Sequence, residues 1–235
     1  MPSVSDLVRE KLAKRAKKVG LVLSDGVISD LGCYFALLRK WNQKVSLTSL
    51  PLDELGDEAI DRLLVEPLVA AKYLTSLTAT VMDVGSGGGS PAIPMKLVAR
   101  GISLRMVESK TRKAAFLREA VRRLGLDQTL VDAARFEELL ARPELGEAMD
   151  IVTMRAVRVE RQTLMGLQAF LKPGGRLFLF RTGNFRTGNM AGESELATAP
   201  LAFEVTHSLL PHLDSRLAVF CKIPVVPRGT LETSQ

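Results

Sequence analysis

The chain has 235 residues, 46% of them apolar and 25% charged, with 32 Lys and Arg against 26 Asp and Glu for a formal charge of +6. That is the composition of one globular domain, or one with an appendage, and it excludes disordered, collagen-like and fibrous chains. Two cysteines, Cys33 and Cys221, and two histidines, His207 and His212, are too few for a Cys/His zinc site or a disulfide framework, so no metal is expected and the thiols suit the cytosol.

The first 20 residues lack the unbroken apolar core of a secretory leader, and no run of about 20 apolar residues is present to span a bilayer. The expectation is a cytoplasmic protein without a membrane partner. The same stretch carries Arg9, Lys11, Lys14, Arg15, Lys17 and Lys18 against Asp6 and Glu10, which is four of the six net charges. Such a run is either an arm for a polyanion, since neutralising phosphates releases counterions, or a solvated helix face. Up to residue 75 the apolar spacing is helical: Leu7, Leu12 and Val19, then Leu31, Tyr34, Phe35, Leu38 and Trp41, then Ile60, Leu63, Leu64, Leu68 and Ala71.

After Thr80 short apolar runs alternate with helical segments. Strands are expected at 81–84, 102–107, 129–133, 150–154 and 176–180, with helices at about 92–100, 111–124, 135–141 and 160–171. On the second of these helices Arg112, Lys113, Arg118, Arg122 and Arg123 face outward, and Phe116, Leu117, Ala120, Val121 and Leu124 face the core. Repeated strand–helix alternation implies a parallel sheet with helices on both faces and right-handed crossovers. KPGG at 172–175 reads as a turn opening the fifth strand, and residues 181–200, with RTGN occurring twice, as a mobile polar loop. The last two strands, 203–210 and 216–223, have no helix-length segment between them and should pair antiparallel. The chain thus divides into a helical extension, 1–75, basic at 9–18, and an α/β domain, 76–235.

VMDVGSGGGSPAIP, residues 81–94, joins a strand to a helix, where open α/β sheets bind ligands. Gly85, Gly87, Gly88 and Gly89 let the main chain take unusual angles close to a ligand. A dinucleotide fingerprint starting at Gly85 meets Ser90 at its last position, and one starting at Gly87 fits formally, ending on Ala92. Pro91 and Pro94, however, remove amides that a pyrophosphate would need at the helix start. Asp83 puts a carboxylate where an anion is unwelcome and a sulfonium or an amino group is not. Glu108, 23 residues after Gly85, ends the second strand, the place from which an acid takes both ribose hydroxyls. Acid, loop and acid without a phosphate cradle fit S-adenosylmethionine (AdoMet) better than NAD; the alternative is a tight turn beside a strand-end carboxylate.

Several segments in order resemble the RsmG (GidB) family of small-subunit (16S) ribosomal RNA guanine-N7 methyltransferases. RKWNQKVSLTSL (39–50) is similar to that family's K-W-N-x-x-x-N-L-T element, and DVGSGGGSPAIP (83–94) to its D-V-G-T-G-x-G-x-P-G-I-P loop. VESKTRKAAFLREAVRRLGL (107–126), AARFEEL (133–139) and MRAV (154–157) resemble its D/E-S-x-x-K-R-x-x-F-L, R-x-E-E and S-R-A segments. The resemblance implies an α/β class I AdoMet-dependent methyltransferase fold, Rossmann-like, with a seven-stranded, mostly parallel sheet, an antiparallel last strand and a helical N-terminal extension. It places AdoMet contacts at Gly85, Ser90, Phe136, Glu137 and Arg155, beside Asp83, Gly87, Gly89 and Glu108 from the loop reading. Phe136 reads equally as helix packing.

The chain departs from the family where R-H-I-L-D-S is usual and Arg62, Leu63, Leu64, Val65, Glu66 and Pro67 stand; Ala92, Met154 and Arg181 also differ. Guanine N7 carries a free lone pair, so its methylation needs alignment and not deprotonation. Arg155 is the expected catalytic residue, placing cofactor and guanine. Candidate RNA contacts are Lys14, Arg15, Lys17, Lys18, Arg62, Arg112, Lys113, Arg181 and Arg186. With few aromatics, a folded RNA or intact small subunit bound by a monomer is favoured over a single strand on a stacking platform, and Trp41 is assigned to the core. Two other readings stand beside this: an AdoMet methyltransferase for another nucleic acid or a small molecule, and a noncatalytic RNA-binding assembly factor.

Overall fold

The computed structural model describes residues 3–155, 159–182, 196–197 and 199–224. Most of the loop expected at 181–200, including Arg186, lies outside the described residues.

Two long helices open the chain. Ser3 starts α1 (Val4–Lys18) through a reciprocal capping box with Asp6, and Ser24 caps α2 (Asp25–Asn42). Val8, Leu12 and Ala16 face inward at four-residue spacing, and Leu31, Tyr34, Phe35 and Leu38 do so in an i, i+3, i+4, i+7 pattern. A third helical stretch is composite. It comprises α3 (Asp57–Ile60), a π-helical turn (Asp61–Val65), α4 (Glu66–Ala70) and a 3-10 turn (Ala71–Tyr73).

The sheet has seven strands: β1 (Thr80–Val84), β2 (Ser103–Val107), β3 (Thr129–Asp132), β4 (Met149–Arg155), β5 (Leu171–Thr182), β6 (Leu201–Leu210) and β7 (Ser215–Lys222). Their order is β3-β2-β1-β4-β5-β7-β6. β1 to β5 run parallel, and β7 is antiparallel to both β5 and β6. Helices α5 (Ala92–Val98), α6 (Thr111–Arg123), α7 (Phe136–Leu139) and α8 (Arg161–Leu167) make the crossovers. This is the expected seven-stranded α/β architecture. The turn expected at 172–175 sits inside β5 as a bulge, where β4 advances from Met149 to Ile151 while β5 advances from Leu171 to Arg176. Gly174 has φ +80°, and a Cβ on Gly175 would meet the Met149 carbonyl oxygen at 3.0 Å, so glycines are what let the strand continue.

One face of the sheet shares its core with α1 to α6; Val8, Leu12, Phe35, Leu64, Phe116, Phe178 and Val219 belong to one buried cluster. Trp41 packs against that cluster, 5.9 Å edge-to-face from Phe116, as expected of a core residue. A second cluster, with Leu139, Leu164, Leu167 and Phe170, covers the other face under α7 and α8. The sheet is therefore sandwiched, and the helical extension is fused to it by a common core.

An ion cluster tightens this junction. Asp61, only 2% exposed, takes both Arg15 nitrogens Nε and Nη2 and His212 Nε2 at 2.6 Å. Arg15 also bonds Asp57, which Lys11 contacts at 2.7 Å. The contact with Asp61 raises the Arg15 pKa, and the Lys11 ammonium lowers that of Asp57. Removing one member of a buried pair strands the other, at about 3 kcal/mol. Asp61→Ala is expected to lose that order of stability in urea unfolding, whereas a loss under about 1 kcal/mol would mean Arg15 and His212 find water instead.

Candidate active site

The site lies at the carboxyl ends of β1, β2 and β4. Asp83 is 1% exposed. Its Oδ1 accepts a hydrogen bond from Thr153 Oγ1 at 2.6 Å, across the β1–β4 register, while Oδ2 is buried without a partner. Burial outweighs the Thr153 hydroxyl and the nearby Arg155, and pushes the Asp83 carboxyl up to about 6.

The glycine loop is held from three sides. Gly85 and Ser86 amides donate to the Val107 carbonyl at 2.9 and 3.1 Å. Glu108 accepts the Gly87 amide on Oε2 at 2.9 Å and the Lys110 amide on Oε1 at 2.7 Å. Tyr34, buried in α2, donates its hydroxyl to the Gly88 carbonyl at 2.6 Å, and burial raises its phenol pKa. Below, Asn42 Oδ1 accepts the Leu47 and Thr48 amides at 2.8 and 3.0 Å, which sets Leu47 against the loop. Gly89, at φ +85°, has no room for a side chain, because a Cβ there would sit 2.5 Å from Ile93 Cδ1.

A cavity of about 330 Å³ opens beside the loop, lined by Gly85, Ser109, Phe136, Glu137 and Met154 among others. Of the expected cofactor positions, Gly85, Phe136 and Glu137 meet in this lining. Asp83 and Glu108 stand at the adjoining strand ends. Gly87, Gly89 and Ser90 do not line the cavity: Gly87 hydrogen-bonds Glu108 and Gly89 packs on Ile93, while Ser90 Oγ is buried and unpartnered. Phe136 also packs on α8, its ring 2.9 Å from where a Gly166 Cβ would be.

These groups fit AdoMet. Asp83 Oδ2 is an unused acceptor for a cationic group. Glu108 uses two of its roughly four lone-pair sites on amides, leaving two for ribose hydroxyls. Gly85 has nothing within 4 Å of its would-be Cβ, so ligand atoms can approach its backbone.

Arg155 ends β4. Its Nη1 meets Glu66 Oε1 at 2.7 Å, and its guanidinium carbon lies 5.1 Å from the Phe180 ring centroid. Tyr34, Asn42 and Glu66 are the residues that sequence reasoning missed. Asn42 stood in the quoted K-W-N element, and Glu66 keeps an acid at the Asp position of R-H-I-L-D-S. Tyr34 carried no signal beyond its helical spacing.

The expected RNA set is dispersed. Arg15 is corrected: it is 12% exposed and committed to Asp57 and Asp61, so its charge is already met. Lys14 pairs with Glu10 and Arg62 with Glu58, at 2.7 and 2.8 Å on exposed helix faces. Lys17, Lys18 and Arg112 are exposed, Lys113 is half-buried, and Arg181 Nη1 is buried without a partner. Among the described residues no cluster could hold a metal, and no helix is long and apolar enough to cross a membrane.

A mostly parallel sheet with this strand order and an antiparallel β7, and a glycine loop between two strand-end acids, are the marks of a class I AdoMet-dependent methyltransferase. Solved structures share the fold. SpnF, a cyclase, aligns with TM-score 0.56 at 15% identity over 71% of this chain and 82% of its own. TYW2 of M. jannaschii in complex with AdoMet aligns at 0.51 and 16% identity, over 66% and 74%. The sequence model described as rRNA small subunit methyltransferase G matches residues 27–209, and the chain belongs to that family. The proteins named ribosomal RNA small subunit methyltransferase G from Sorangium cellulosum and Neisseria meningitidis serogroup A are 30% and 32% identical to it. The first alignment covers 94% of this chain and 85% of the relative, the second 71% and 76%.

The buried Asp83 carboxyl makes stability depend on pH, and its expected contact with AdoMet would carry a pH dependence into binding. Its folded pKa of about 6 exceeds the ordinary 3.8, so the native state holds this proton more tightly and stability falls as pH rises between those values. Asp83→Asn should therefore gain on the order of 2 kcal/mol at neutral pH while weakening AdoMet binding. In calorimetry, wild-type AdoMet affinity should drop as pH falls below about 6, a dependence that Asp83→Asn should abolish. A flat wild-type profile would disconnect Asp83 from the ligand.

Proposed function

We infer that this protein transfers the methyl group of AdoMet to N7 of a guanine in 16S ribosomal RNA, acting in the cytoplasm as a monomer on the small subunit or its RNA. The family match across 27–209 carries the reading. The site's chemistry supports it, since N7 offers a lone pair and no proton to remove. Both histidines lie elsewhere: His207 stacks on Tyr73 with ring centroids 3.7 Å apart, and His212 is bound to Asp61.

AdoMet, when bound, supplies an electrophilic methyl whose bonding electrons return to sulfur as the N7 lone pair forms the new bond. The chain's residues bind and orient. Asp83 Oδ2 meets positive charge on the cofactor, Glu108 takes ribose hydroxyls, and Phe136 and Glu137 flank the adenine. Gly85 lies on the cofactor's side of the loop, and Gly87, Gly89 and Ser90 hold the loop's course behind it. Arg155 directs the guanine, and holding two reactants in line is worth roughly 7–11 kcal/mol.

Of the candidate RNA contacts, Lys17, Lys18, Arg112 and Lys113 have no ion-pair carboxylate among the described residues, and these hold the RNA, with Lys14, Arg62 and Arg181 contributing at the edges. A second reading, methylation of another nucleic acid or a small molecule, draws on buried Leu63 and Pro67, which present no polar group where the family has His and Ser.

Small subunits lacking the N7 mark, incubated with labelled AdoMet, should take label at one guanine, mapped by cleavage at the methylated base. Arg155→Ala should lower kcat by about 100-fold with AdoMet affinity retained. No label from a protein that binds AdoMet would favour the second reading. Lys17→Ala with Lys18→Ala should weaken subunit binding and reduce the salt slope by about one per lysine; an unchanged slope removes them from the interface.

A further inference from the structure

Glu66 sits in an otherwise apolar stretch, between Val65 and Pro67, with 1% of its surface exposed. A carboxylate so buried is retained only at high cost unless it is paired. Its ion-pair partner is Arg155, through Oε1, while Oε2 accepts nothing. The backbone explains how an acid arrives there. The Glu66 amide bonds the Asp61 carbonyl, closing the π-helical turn, and one extra residue in that turn rotates the succeeding helix by about 100°.

From the other side, Arg155 is held at one corner and lies over Phe180, with Nε and Nη2 buried and unpaired. A planar guanidinium gripped at Nη1 and stacked on a ring has its plane and direction fixed. We propose that Glu66 is the positioning residue for Arg155, and that the pair, not the arginine alone, sets how the guanine meets the methyl group. The proposal rests on the reading of Arg155 as the residue that directs the guanine. Asp61 anchors the same turn through Arg15 and His212, so the helical extension and the β6–β7 connection bear on Arg155 through one helical segment.

The test uses the full chain carrying Glu66→Gln, Glu66→Asp, Arg155→Ala and the Gln/Ala double substitution. NMR of the arginine side-chain Nε–H groups reads orientation without turnover: the Arg155 signal should be sharp in the wild type, broadened in Glu66→Gln and recovered in Glu66→Asp. Glu66→Gln should lower kcat by about 10- to 100-fold, with KM for the subunit and AdoMet affinity each within about threefold. In the Arg155→Ala background the same change should cost less than about twofold, because its effect passes through the arginine. A purely structural Glu66 would lower Tm and leave kcat and the Arg155 signal intact, which overturns the proposal, as would multiplicative losses in the double variant. Arg155→Ala with wild-type kcat would instead overturn the reading of Arg155 and this proposal with it.

Discussion

A carboxylate taken out of water must be compensated, and besides Glu108, which two amides satisfy, the described residues bury three more: Asp61, Glu66 and Asp83, at 2%, 1% and 1% exposure. They are compensated unequally. Asp61 has a guanidinium and an imidazole, Glu66 has one corner of a guanidinium, and Asp83 has a neutral hydroxyl. Where both charges come from the chain, the pair welds elements together. Where the chain supplies none, a cationic ligand has something to complete, and under the proposed function that is what the sulfonium and ammonium of AdoMet do.

The sheet was legible because strands covered on both faces read as short apolar runs at a regular interval, and β1 to β5 and the β6–β7 pair appear where those runs stand. Boundaries moved where backbone geometry overrode residue type. Gly174 and Gly175 look like a turn in sequence, yet they carry β5 through a bulge, because Gly174 takes φ +80° and the Lys172 and Met149 carbonyls crowd the place where a Gly175 Cβ would sit. Glu108 was legible as a strand-end acid, but its two amide bonds were not, since Gly87 is remote in sequence and the contact exists only once β1 and β2 pair. Tyr34 and Asn42 were hidden for the same reason: a helical pattern says which side of α2 is buried, not that a hydroxyl on it ends on the Gly88 carbonyl.

Charge was the least legible property. A count along the first 20 residues finds strong positive excess, and the fold cancels much of it with acids from elsewhere. Asp57 and Asp61 meet Lys11 and Arg15, and Glu10 meets Lys14 within the helix. What a polyanion encounters is the residue of that cancellation, chiefly Lys17 and Lys18. Formal charge thus overstates the field of a segment whose partners lie some forty residues away in sequence.

The sheet and loop alone do not settle chemistry, since folds of this kind host unrelated reactions. What narrows it here is the kind of help the acceptor needs. An oxygen or an exocyclic amine asks for a proton acceptor near the methyl; guanine N7 asks only to be held in line. A site built for that task can do without histidine and lean on orientation, and its cost then falls on the scaffold. That is where the cost is found: a carboxylate pushed up to about 6 by burial, and an arginine with two buried donors unpaired. Each of these lowers stability locally and each adjoins the cavity or the loop beside it, the pattern expected when a fold keeps unfavourable groups for a ligand to satisfy.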